Sequence, residues 1–490
     1  MIHFVCNVPL LLLRVLVSGL LMGWVGGLAQ PAYEASWRAG LMATSQNPAS
    51  VVAAPFRYEI LLGSADLYAQ NTLFETNDLQ RFLPNNLLTN LVNQPNNLFL
   101  FTGIQTPPFY ANQADNWYAS NLHRIQGPGI AWRIKSNPDM MERGLARMAF
   151  SIRVERNELI QLNDMSRELA QAFVNGFPAS PAEQITDDRF ELRVQEWDGL
   201  ALSYGLSLGR GNKLLHLAIG GKLLSIGNFM EFQAYNTTVG LSSGNAVSLQ
   251  SDSVVFSYNP SFARAVSAQG NPLRRWNNFE YSWGVLGELG LIYQVLDYQR
   301  QVRFEIGASV QDVGAVQFWN LNRTSYRLEA TEVTRDDIAA STEAGVDGID
   351  MLLDSLGTDT AFLGSGVTER LPLILTGHAK LRIGQKWGLH LRGNFRRVTF
   401  ESPWETLFRA TLSYETKGLS FFLPVSSTLV LPSPSALELR PRLGLFLSLG
   451  DRLIVGSNDI LTTMFYSSIR QGVAASHLFV GLHFPIKSEI

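Results

Sequence analysis

Alternation of apolar and polar residues over long stretches is the feature of this chain that most constrains its fold. Between Val302 and Val310 every even position is apolar, whereas Arg303 and Glu305 occupy odd positions. Other stretches alternate in the same way, at 215–223, 371–383, 387–396 and 437–449. Successive side chains of a β-strand point to opposite faces, so a period of two predicts strands with one apolar and one polar face. The chain is therefore predicted to be all-β.

The length of these stretches separates two kinds of β protein. Strands of about 9 to 11 residues cross a membrane, whereas strands of a soluble sandwich usually have about 5 or 6. Charged residues make up only 17% of the chain and apolar residues 46%. Aromatic residues stand near the strand ends, as they do at membrane interfaces: Trp283, Tyr293, Trp387, Trp404, Tyr414 and Tyr466. Although a sandwich would also alternate, these features favour a transmembrane antiparallel β-barrel.

Composition and charge argue against several other classes. The formal net charge is −3, from 39 basic and 42 acidic side chains, so we expect no nucleic-acid partner. The sole cysteine is Cys6, which leaves the rest of the chain without a disulfide, a thiolate metal site or a cysteine nucleophile. The uncharged stretch 418–437 contains Pro424, Pro432 and Pro434, and a spanning helix is not expected there.

Residues 1–29 have the pattern of an export signal peptide. Arg14 precedes the apolar stretch 15–29, and Gly27 and Ala29 are the small residues of a cleavage site. An uncleaved anchor helix is the alternative, but this stretch is shorter than the roughly 20 residues that span a bilayer. We therefore expect signal-peptide export to the outer membrane of a Gram-negative bacterium, with outer-membrane lipid around the barrel.

Sixteen candidate strands can be placed along the chain, of which one or two are expected to be plug or loop segments. We predict one barrel domain of about 14 strands, give or take two, over residues 56–490. Two stretches with apolar residues three or four positions apart, near 159–175 and 335–356, predict short amphipathic helices between strands. These inserts are expected to pack on the rim or in the interior.

The stretch 30–55, ahead of the first predicted strand, is expected to form an N-terminal plug in the lumen. Its small residues would let the backbone fit a narrow lumen, and it contains the turn Asn47, Pro48 and Ala49. Asn47 can cap a short helix, and Pro48 suits the first helical position. An ordinary surface turn is the alternative, since Asn-Pro also occurs at 137–138 and 259–260.

Four stretches carry a resemblance to a known family. They are residues 37–68 with the Asn47-Pro48-Ala49 turn, 150–176 followed by 196–208, 369–384, and 453–486. They resemble an uncharacterised exported β-barrel family known chiefly from Bacteroidota outer membranes, the domain of unknown function 5723. That family is distantly similar to the long-chain fatty acid transporter type. The resemblance implies a 14-stranded barrel with an N-terminal plug, and it implies no established transport chemistry.

Polar positions of the alternating stretches are expected to line the lumen. The candidates are Lys222, Arg303, Glu305, His378, Lys380, Arg382, His390, Arg392, Arg396, Glu438, Arg440 and Arg442. Basic residues outnumber acidic ones in this set, so the wall is predicted to be locally basic and to favour anions or a carboxylate-bearing ligand. Internal salt bridges to acidic plug or loop residues are the alternative.

No stretch of the sequence has both the residues and the structural context of a catalytic or metal-binding motif. Residues 205–209 match G-x-S-x-G around Ser207, but they lie in an alternating strand and not at the strand-to-helix turn that exposes a nucleophile. The histidines show no metal-ligand spacing. We therefore predict no enzymatic activity, no cofactor and no metal.

The sequence thus predicts an outer-membrane barrel that passes small, hydrophobic or anionic molecules through a plugged lumen. A docking or secretion-accessory barrel without transport is the alternative. An outer-membrane hydrolase is a third possibility, and it would need an inward serine and histidine within hydrogen-bonding reach. The substrate, the oligomeric state and any protein partner are not predicted.

Overall fold

A computed structural model describes most of the chain as extended strands. The described residues are 36, 39–71, 116–135, 145–166, 168–169, 184–241, 246–260, 282–334, 337, 346–370, 373–397, 404–416, 418–431, 442–450, 452–458 and 474–487. The predicted signal peptide, 1–29, lies outside them, as do Glu438 and Arg440.

Nineteen strand segments and two short α-helices are present in these ranges. The helices are α1 (Ser50–Ala53) and α2 (Val346–Leu356), and a 3-10 helix covers Gly40–Ser45. The strands are β1 (Phe56–Asn71), β2 (Asn116–Lys135), β3 (Leu145–Ser166), β4 (Gln184–Arg210), β5 (Lys213–Leu241), β6 (Ala246–Tyr258), β7 (Ser282–Leu296), β8 (Val302–Phe318), β9 (Asn322–Thr334), β10 (Gly357–Phe362), β11 (Val367–Arg370), β12 (Leu373–Ile383), β13 (Trp387–Arg397), β14 (Trp404–Tyr414), β15 (Leu419–Leu431), β16 (Arg442–Leu443), β17 (Leu445–Leu449), β18 (Leu453–Ser457) and β19 (Ala474–Lys487).

These segments form one closed antiparallel sheet. Within the wall each strand pairs with the next wall strand along the chain, β5 with β7 and β8 with β12 among them, and β1 pairs with β19, from Phe56 opposite Lys487 to Asn71 opposite Ala474. Because β11 continues into β12 and β16 into β17, and β6, β9 and β10 lie outside the ring, the wall has 14 strands. The predicted all-β fold and strand number are confirmed. A closed barrel leaves no unpaired sheet edge.

The two ends of the barrel differ. At one end the strands are joined by short turns, such as 211–212, 297–301 and 384–386, and β1 starts and β19 finishes there. Long connections, among them 72–115, join the strands at the other end. We call these the short-turn end and the long-loop end. In outer-membrane barrels short turns face the periplasm and long loops face the outside.

The outward face of the wall is apolar. Along β7 buried and exposed side chains alternate, and Leu289 is 58% exposed while its neighbour Glu288 is buried. Ile219 on β5 is equally exposed. Towards the long-loop end, outward Arg156 pairs with Glu196 and lies 3.6 Å from Asp198, which marks where charged side chains replace apolar ones. This belt has the character of a lipid-facing surface.

Aromatic side chains lie at both edges of the apolar belt. At the short-turn end Trp387 and Tyr414 contact each other with ring centroids 5.0 Å apart. Nearer the long-loop end Trp283 and Trp319 form a T-shaped pair at 6.2 Å. Such amphipathic rings favour the headgroup level of a bilayer. In the described part of the chain, no helix is both long and apolar enough to span a membrane.

The predicted helix near 159–175 is wrong over most of its described part. Residues 159–166 continue β3, and only Glu168 and Leu169 are helical among the described residues that follow. Pairing explains the difference, because this part of β3 is hydrogen-bonded to β2 on one side and β4 on the other. Its apolar spacing fits a helix face, but a two-sided ladder outweighs local helix preference.

A sheet extension rises from the barrel at the long-loop end. The first half of β5 pairs with β7 in the wall, whereas its second half, from Met230 to Leu241, pairs with β6. Strand β9 then pairs with β6 and β10 with β9. Helix α2 packs on this sheet through Leu353, next to Phe256 and Leu328. The predicted helix near 335–356 is therefore confirmed over 346–356.

One carboxylate fixes helix α2 to the extension. Asp350 accepts hydrogen bonds from the Tyr258 hydroxyl at 3.1 Å, from the Asn322 amide at 3.2 Å and from the Tyr326 hydroxyl. Burial and the neighbouring Asp350 carboxylate raise the pKa of Tyr326 above its ordinary value. Tyr326 therefore stays protonated and keeps donating to Asp350 at any physiological pH.

Replacing Asp350 with Ala should release helix α2 without opening the barrel. The change removes the acceptor that Tyr258, Asn322 and Tyr326 share, at a cost of about 1–3 kcal/mol. Hydrogen exchange of the α2 amides should become faster, while β12 and β13 stay protected. Asp354→Ala is the matched control, since Asp354 contacts Thr360 at 3.5 Å on an exposed surface. Equal exchange in the two variants would contradict this account.

The lipid-facing belt predicts a depth-dependent cost for charge. Leu391 is 50% exposed in the middle of β13, whereas Leu419 lies at the start of β15 beside a short turn. Arg at Leu391 should cost about 2–4 kcal/mol and Arg at Leu419 about 0–1 kcal/mol. Unfolding in lipid vesicles, followed by the heat-modifiable band on unboiled gels, measures both. Equal tolerance at the two sites would show that lipid does not contact this face.

Candidate functional site

Residues 39–54 lie inside the barrel, in the half of the lumen nearer the short-turn end. We call them the inner segment. Leu41, Val51 and Val52 are fully buried and pack against small or aromatic wall residues, among them Ala149 and Phe422. The segment contacts strands on several sides of the barrel, from β1 to β5 and also β8 and β13. It therefore occupies lumen space that the sheet encloses.

Asn47 anchors the inner segment to the wall. Its side-chain amide donates to the Leu291 carbonyl at 3.1 Å and to the Ala308 carbonyl at 3.2 Å, on adjacent strands β7 and β8. Its side-chain oxygen accepts the Ala49 amide at 3.0 Å. Helix α1 begins at Ser50, with Ala49 in the N-cap position. The bond from the Ala49 N–H to Asn47 Oδ1 is of the kind that a capping asparagine makes, at the turn that leads into α1, and the Asn47 amide contacts the wall in addition.

A glycine of the wall makes room for this anchor. A β-carbon built on Gly290 would lie 2.2 Å from Asn47 Oδ1, 2.8 Å from the Ala49 nitrogen and 2.9 Å from Pro48 Cδ. Side chains larger than hydrogen are therefore excluded at this position as long as the Asn47-Pro48-Ala49 turn is in place. On β4, Gly205 is close to Val51 and Val52 in the same way.

A second anchor lies nearer the short-turn end. The fully buried Glu59 carboxylate accepts the Leu41 amide at 3.1 Å, contacts His483 Nε2 at 3.1 Å and pairs with Arg133. Arg133 also donates to the Val51 carbonyl and, at 3.0 Å, to the Phe56 carbonyl. These bonds satisfy backbone groups that have no sheet partner, which a dry interior requires.

Other wall side chains complete the hydrogen bonding of the inner segment. Arg147 donates to the Ala54 carbonyl at 2.7 Å, and Arg153 donates to the Thr44 hydroxyl at 2.9 Å. Ser309 donates to the Gln46 carbonyl at 2.5 Å. The segment is therefore held by polar contacts from β2, β3, β7 and β8 as well as by apolar packing.

On the side of the inner segment that faces the long-loop end, one lysine is surrounded by three carboxylates. Lys222 Nζ lies 2.7 Å from Asp312, 2.8 Å from Glu288 and 3.0 Å from Glu155. Arg153 lies 3.7 Å from Glu288 in the same cluster. On this side of the barrel, from β3 to β8, internal ion pairing compensates the predicted basic wall.

A second carboxylate links this side to the opposite wall. Glu305 accepts the Gln294 amide at 2.7 Å and lies 3.0 Å from both His378 Nε2 and Lys380 Nζ. Gln294 in turn contacts His216 Nε2 at 2.9 Å. The network crosses four neighbouring strands, β5, β7, β8 and β12, so Glu305 neutralises the first basic residues of the far wall.

The structure brings most of the predicted lumen residues to the inner face. Those that are buried there are Lys222, Glu305, His378, Lys380, His390, Arg392, Arg396 and Arg442. Arg303 is exposed and Arg382 is half-buried, both beside short turns, where Arg382 donates to Gln301 at 2.7 Å. Glu438 and Arg440 fall outside the described residues.

Sequence reasoning missed several inward charges that the alternation could have indicated. Glu288 and Arg409 stand at polar positions of predicted strands, with the same period of two as their apolar neighbours. Glu59, Arg133 and Arg153 interrupt apolar stretches in the first strands, and only the fold shows that they meet the inner segment.

An apolar cluster lies on the inner face beyond Lys222, towards the long-loop end. Trp197 and Leu286 belong to it, on the same faces of β4 and β7 as buried Ala201 and Glu288. Phe229 and Phe318 contact each other in it at 4.8 Å between ring centroids. The described lumen wall is therefore layered, with charged side chains next to the inner segment and apolar side chains nearer the long-loop end.

Ser207 and His216 are opposite each other on β4 and β5 and are both buried. They are the serine and histidine that a hydrolase would need. No hydrogen bond joins them in the described structure, and the His216 ring is held by the neutral amide of Gln294. A catalytic triad would place a carboxylate at that position.

The sequence over residues 48–430 matches a family of unknown function, DUF5723. The chain belongs to this family. Comparison with curated proteins gave no significant match.

The chain is similar to solved structures of transporters and of a translocator domain. The toluene transporter TodX of Pseudomonas putida is 11% identical, with 94% of this chain and 98% of that chain covered and a TM-score of 0.41. The toluene transporter TbuX of Ralstonia pickettii is 10% identical, with 91% and 94% covered and a TM-score of 0.32. The translocator domain of the autotransporter NalP of Neisseria meningitidis is 9% identical, with 87% and 88% covered and a TM-score of 0.29. Family membership therefore rests on the sequence match.

Gly290→Val should displace the inner segment from the wall. The added atoms would overlap the Asn47 turn, whereas Gly287→Val on the same strand meets only the Val313 carbonyl, at 3.6 Å, and serves as the control. Ala43→Cys in a Cys6→Ser background provides a buried reporter. Maleimide should label this reporter faster in Gly290→Val than in Gly287→Val. Equal labelling rates would show that the turn does not depend on this glycine.

Proposed function

We propose that this chain is an outer-membrane channel for small hydrophobic or anionic molecules, and that the inner segment controls passage. The observation that carries the proposal is the inner segment itself. It lies in the half of the lumen nearer the short-turn end, yet it forms no strand of the ladder and is held by side-chain hydrogen bonds, such as those of Asn47 and Arg147, and by apolar packing. A segment bound in this way can move while the sheet around it stays closed.

The outward face supports a membrane location. Leu289, Ile219 and Leu391 are half exposed or more, in the middle of long strands, and aromatic pairs bound the belt. Bacterial outer membranes are the usual location of closed barrels with short turns at one end and long loops at the other. Export of the chain through a signal peptide is part of this proposal.

The layers of the lumen support the two classes of cargo. The apolar cluster around Trp197 and Phe229 is chemically suited to hydrophobic molecules that arrive from the long-loop end. The inner faces of β12 to β14 carry Lys380, Arg392 and Arg409, which attract anions. Shape and charge, and no reactive side chain, would select the molecule that passes.

Deletion of residues 36–54 tests the proposal. The barrel should still assemble, because its closing ladder begins at Phe56. Conductance in planar bilayers and uptake of small solutes by proteoliposomes should increase, with a preference for anions over cations. The matched control is Asn47→Leu, which removes one anchor and should raise conductance less than the deletion does.

Two outcomes would contradict the proposal. Unchanged permeability of the deletion variant, compared at equal surface abundance, would show that the inner segment does not control passage. Cation selectivity would exclude the anionic class of cargo.

Docking without transport is the second candidate function, and the sheet extension favours it. Met351 is 73% and Phe362 66% exposed there, on elements that stand clear of the lumen. If docking is the function, the deletion of residues 36–54 leaves permeability unchanged, whereas removal of the extension abolishes partner binding.

A further inference from the structure

The short-turn end of the barrel is basic, although the formal net charge of the chain is −3. In the described residues of its turns the acidic side chains are Asp297 and Glu415. Asp297 already accepts two amides of its own turn at 2.8 and 2.9 Å, and Glu415 accepts the Ser36 hydroxyl at 2.8 Å. None of the exposed basic side chains at this end pairs with a carboxylate of the described structure. These side chains are Arg57, Lys213, Arg300, Arg303, Lys386 and Arg452.

Three of these cations lie over aromatic rings at the edge of the apolar belt. We call the three contacts the rim pairs. Each ring belongs to a residue whose neighbour in the chain is buried and faces the lumen, so the rings face outward. The cations therefore stay on the lipid side of the barrel and do not extend into the water below it. The rim pairs are Arg57 over Tyr58 at 5.3 Å, Lys386 over Tyr414 at 5.8 Å and Arg452 over Phe484 at 5.8 Å, measured to the ring centroid.

A break in the strand register turns Arg57 outward. Glu59 faces the lumen, and strict alternation would turn Arg57 to the same side. The ladder between β1 and β19 shifts between Phe56 and Tyr58, and Phe56 is buried while Arg57 is exposed. Irregularities of this kind redirect side chains. The shift thus places a cation beside an outward ring.

Arg57 and Arg452 lie on either side of strand β19. This strand pairs with β1 on one side and with β18 on the other, and Arg452 immediately precedes β18. The Arg452 carbonyl accepts the His483 amide at 2.9 Å, which holds this residue beside Phe484. Further along β1 the outward face is apolar, and Leu62 is 53% exposed. The seam of the barrel therefore presents two cations at the belt edge, next to a surface that suits acyl chains.

The opposite edge of the belt has a different charge arrangement. Outward Arg156 pairs there with Glu196 and lies 3.6 Å from Asp198, so carboxylates of the chain compensate its charge. A negatively charged lipid is therefore favoured at the short-turn edge.

We propose that the rim pairs bind the phosphate groups of anionic phospholipids in the leaflet at the short-turn end. Arg57 and Arg452 form the main site at the seam, and Lys386 forms a second site of the same kind. Lys and Arg at the membrane surface attract anionic lipids, and aromatic rings favour the headgroup level. The inference rests on the membrane location of the barrel and not on passage through its lumen.

Native mass spectrometry of the detergent-purified full chain, titrated with dioleoyl phosphatidylglycerol, tests the site. Dioleoyl phosphatidylcholine, which has the same phosphate but no net charge, is the comparison lipid and should bind more weakly. Arg57→Gln and Arg452→Gln should each weaken binding of phosphatidylglycerol about fivefold, since one cation near the surface contributes about that factor. Arg452→Lys should retain wild-type binding because the charge remains. A heat-modifiable band on unboiled gels verifies that each variant is folded.

Arg300→Gln is the control for charge alone. Arg300 is exposed in the turn 297–301 at the same end, it belongs to no rim pair, and its replacement removes the same charge. Binding of phosphatidylglycerol should be unchanged in this variant. Equal weakening in Arg300→Gln and Arg452→Gln would show that the overall charge of this end attracts the lipid, and the inference fails. Equal affinity of the wild-type chain for the two lipids also overturns it. Displacement of phosphatidylglycerol by an equal concentration of inorganic phosphate would assign the cations to free phosphate and overturn the lipid site.

Conductance separates this inference from the proposed function. The rim pairs lie outside the lumen, so Arg452→Gln should conduct as the wild-type chain does in planar bilayers of phosphatidylcholine. Selective binding of phosphatidylglycerol by a chain that conducts nothing overturns the channel alone. Conductance by a chain that binds both lipids equally overturns the lipid site alone.

Discussion

Hydrogen bonding of backbone that cannot join a sheet is the constraint on which the lumen depends. The inner segment is enclosed by paired strands whose own backbone groups are already used. Part of its amides and carbonyls are bonded within its own helical turns, and others are satisfied by wall side chains, chiefly Glu59, Arg133, Arg147 and Ser309. This requirement helps to explain why a wall with a largely apolar outside carries so many buried charged and amide groups inside.

The same requirement divides the lumen electrostatically. On one side Lys222 and Arg153 are matched by carboxylates within about 4 Å. On the other side Arg392 and Arg409 are opposite each other on β13 and β14, and Gln46 Oε1 of the inner segment accepts a hydrogen bond from Arg392. Glu305 joins the two halves.

The alternation predicted that several residues face the lumen, but it did not predict which residues they contact. Polar positions in a period-two stretch must face away from lipid, so Lys222, His390 and Arg392 could be assigned to the lumen without coordinates. The contact of Lys222 with Asp312 joins strands 90 residues apart. It depends on register, which a one-residue slip would change for every pair. For the same reason the position of Arg392 opposite Arg409, on β13 and β14, has no signature in any single stretch.

By itself the sequence indicated the all-β class, an apolar face towards lipid and a strand number of about 14, give or take two, because period, length and composition are local and repeat in every strand. The tertiary structure decided three things. It made residues 159–166 a strand, since two neighbours pair with them. It turned the Asn47 amide to the carbonyls of β7 and β8, since Gly290 leaves room there. It also placed Lys222 and Glu305 in ion pairs and Arg392 opposite Arg409, because register and closure of the barrel fix which strands are neighbours.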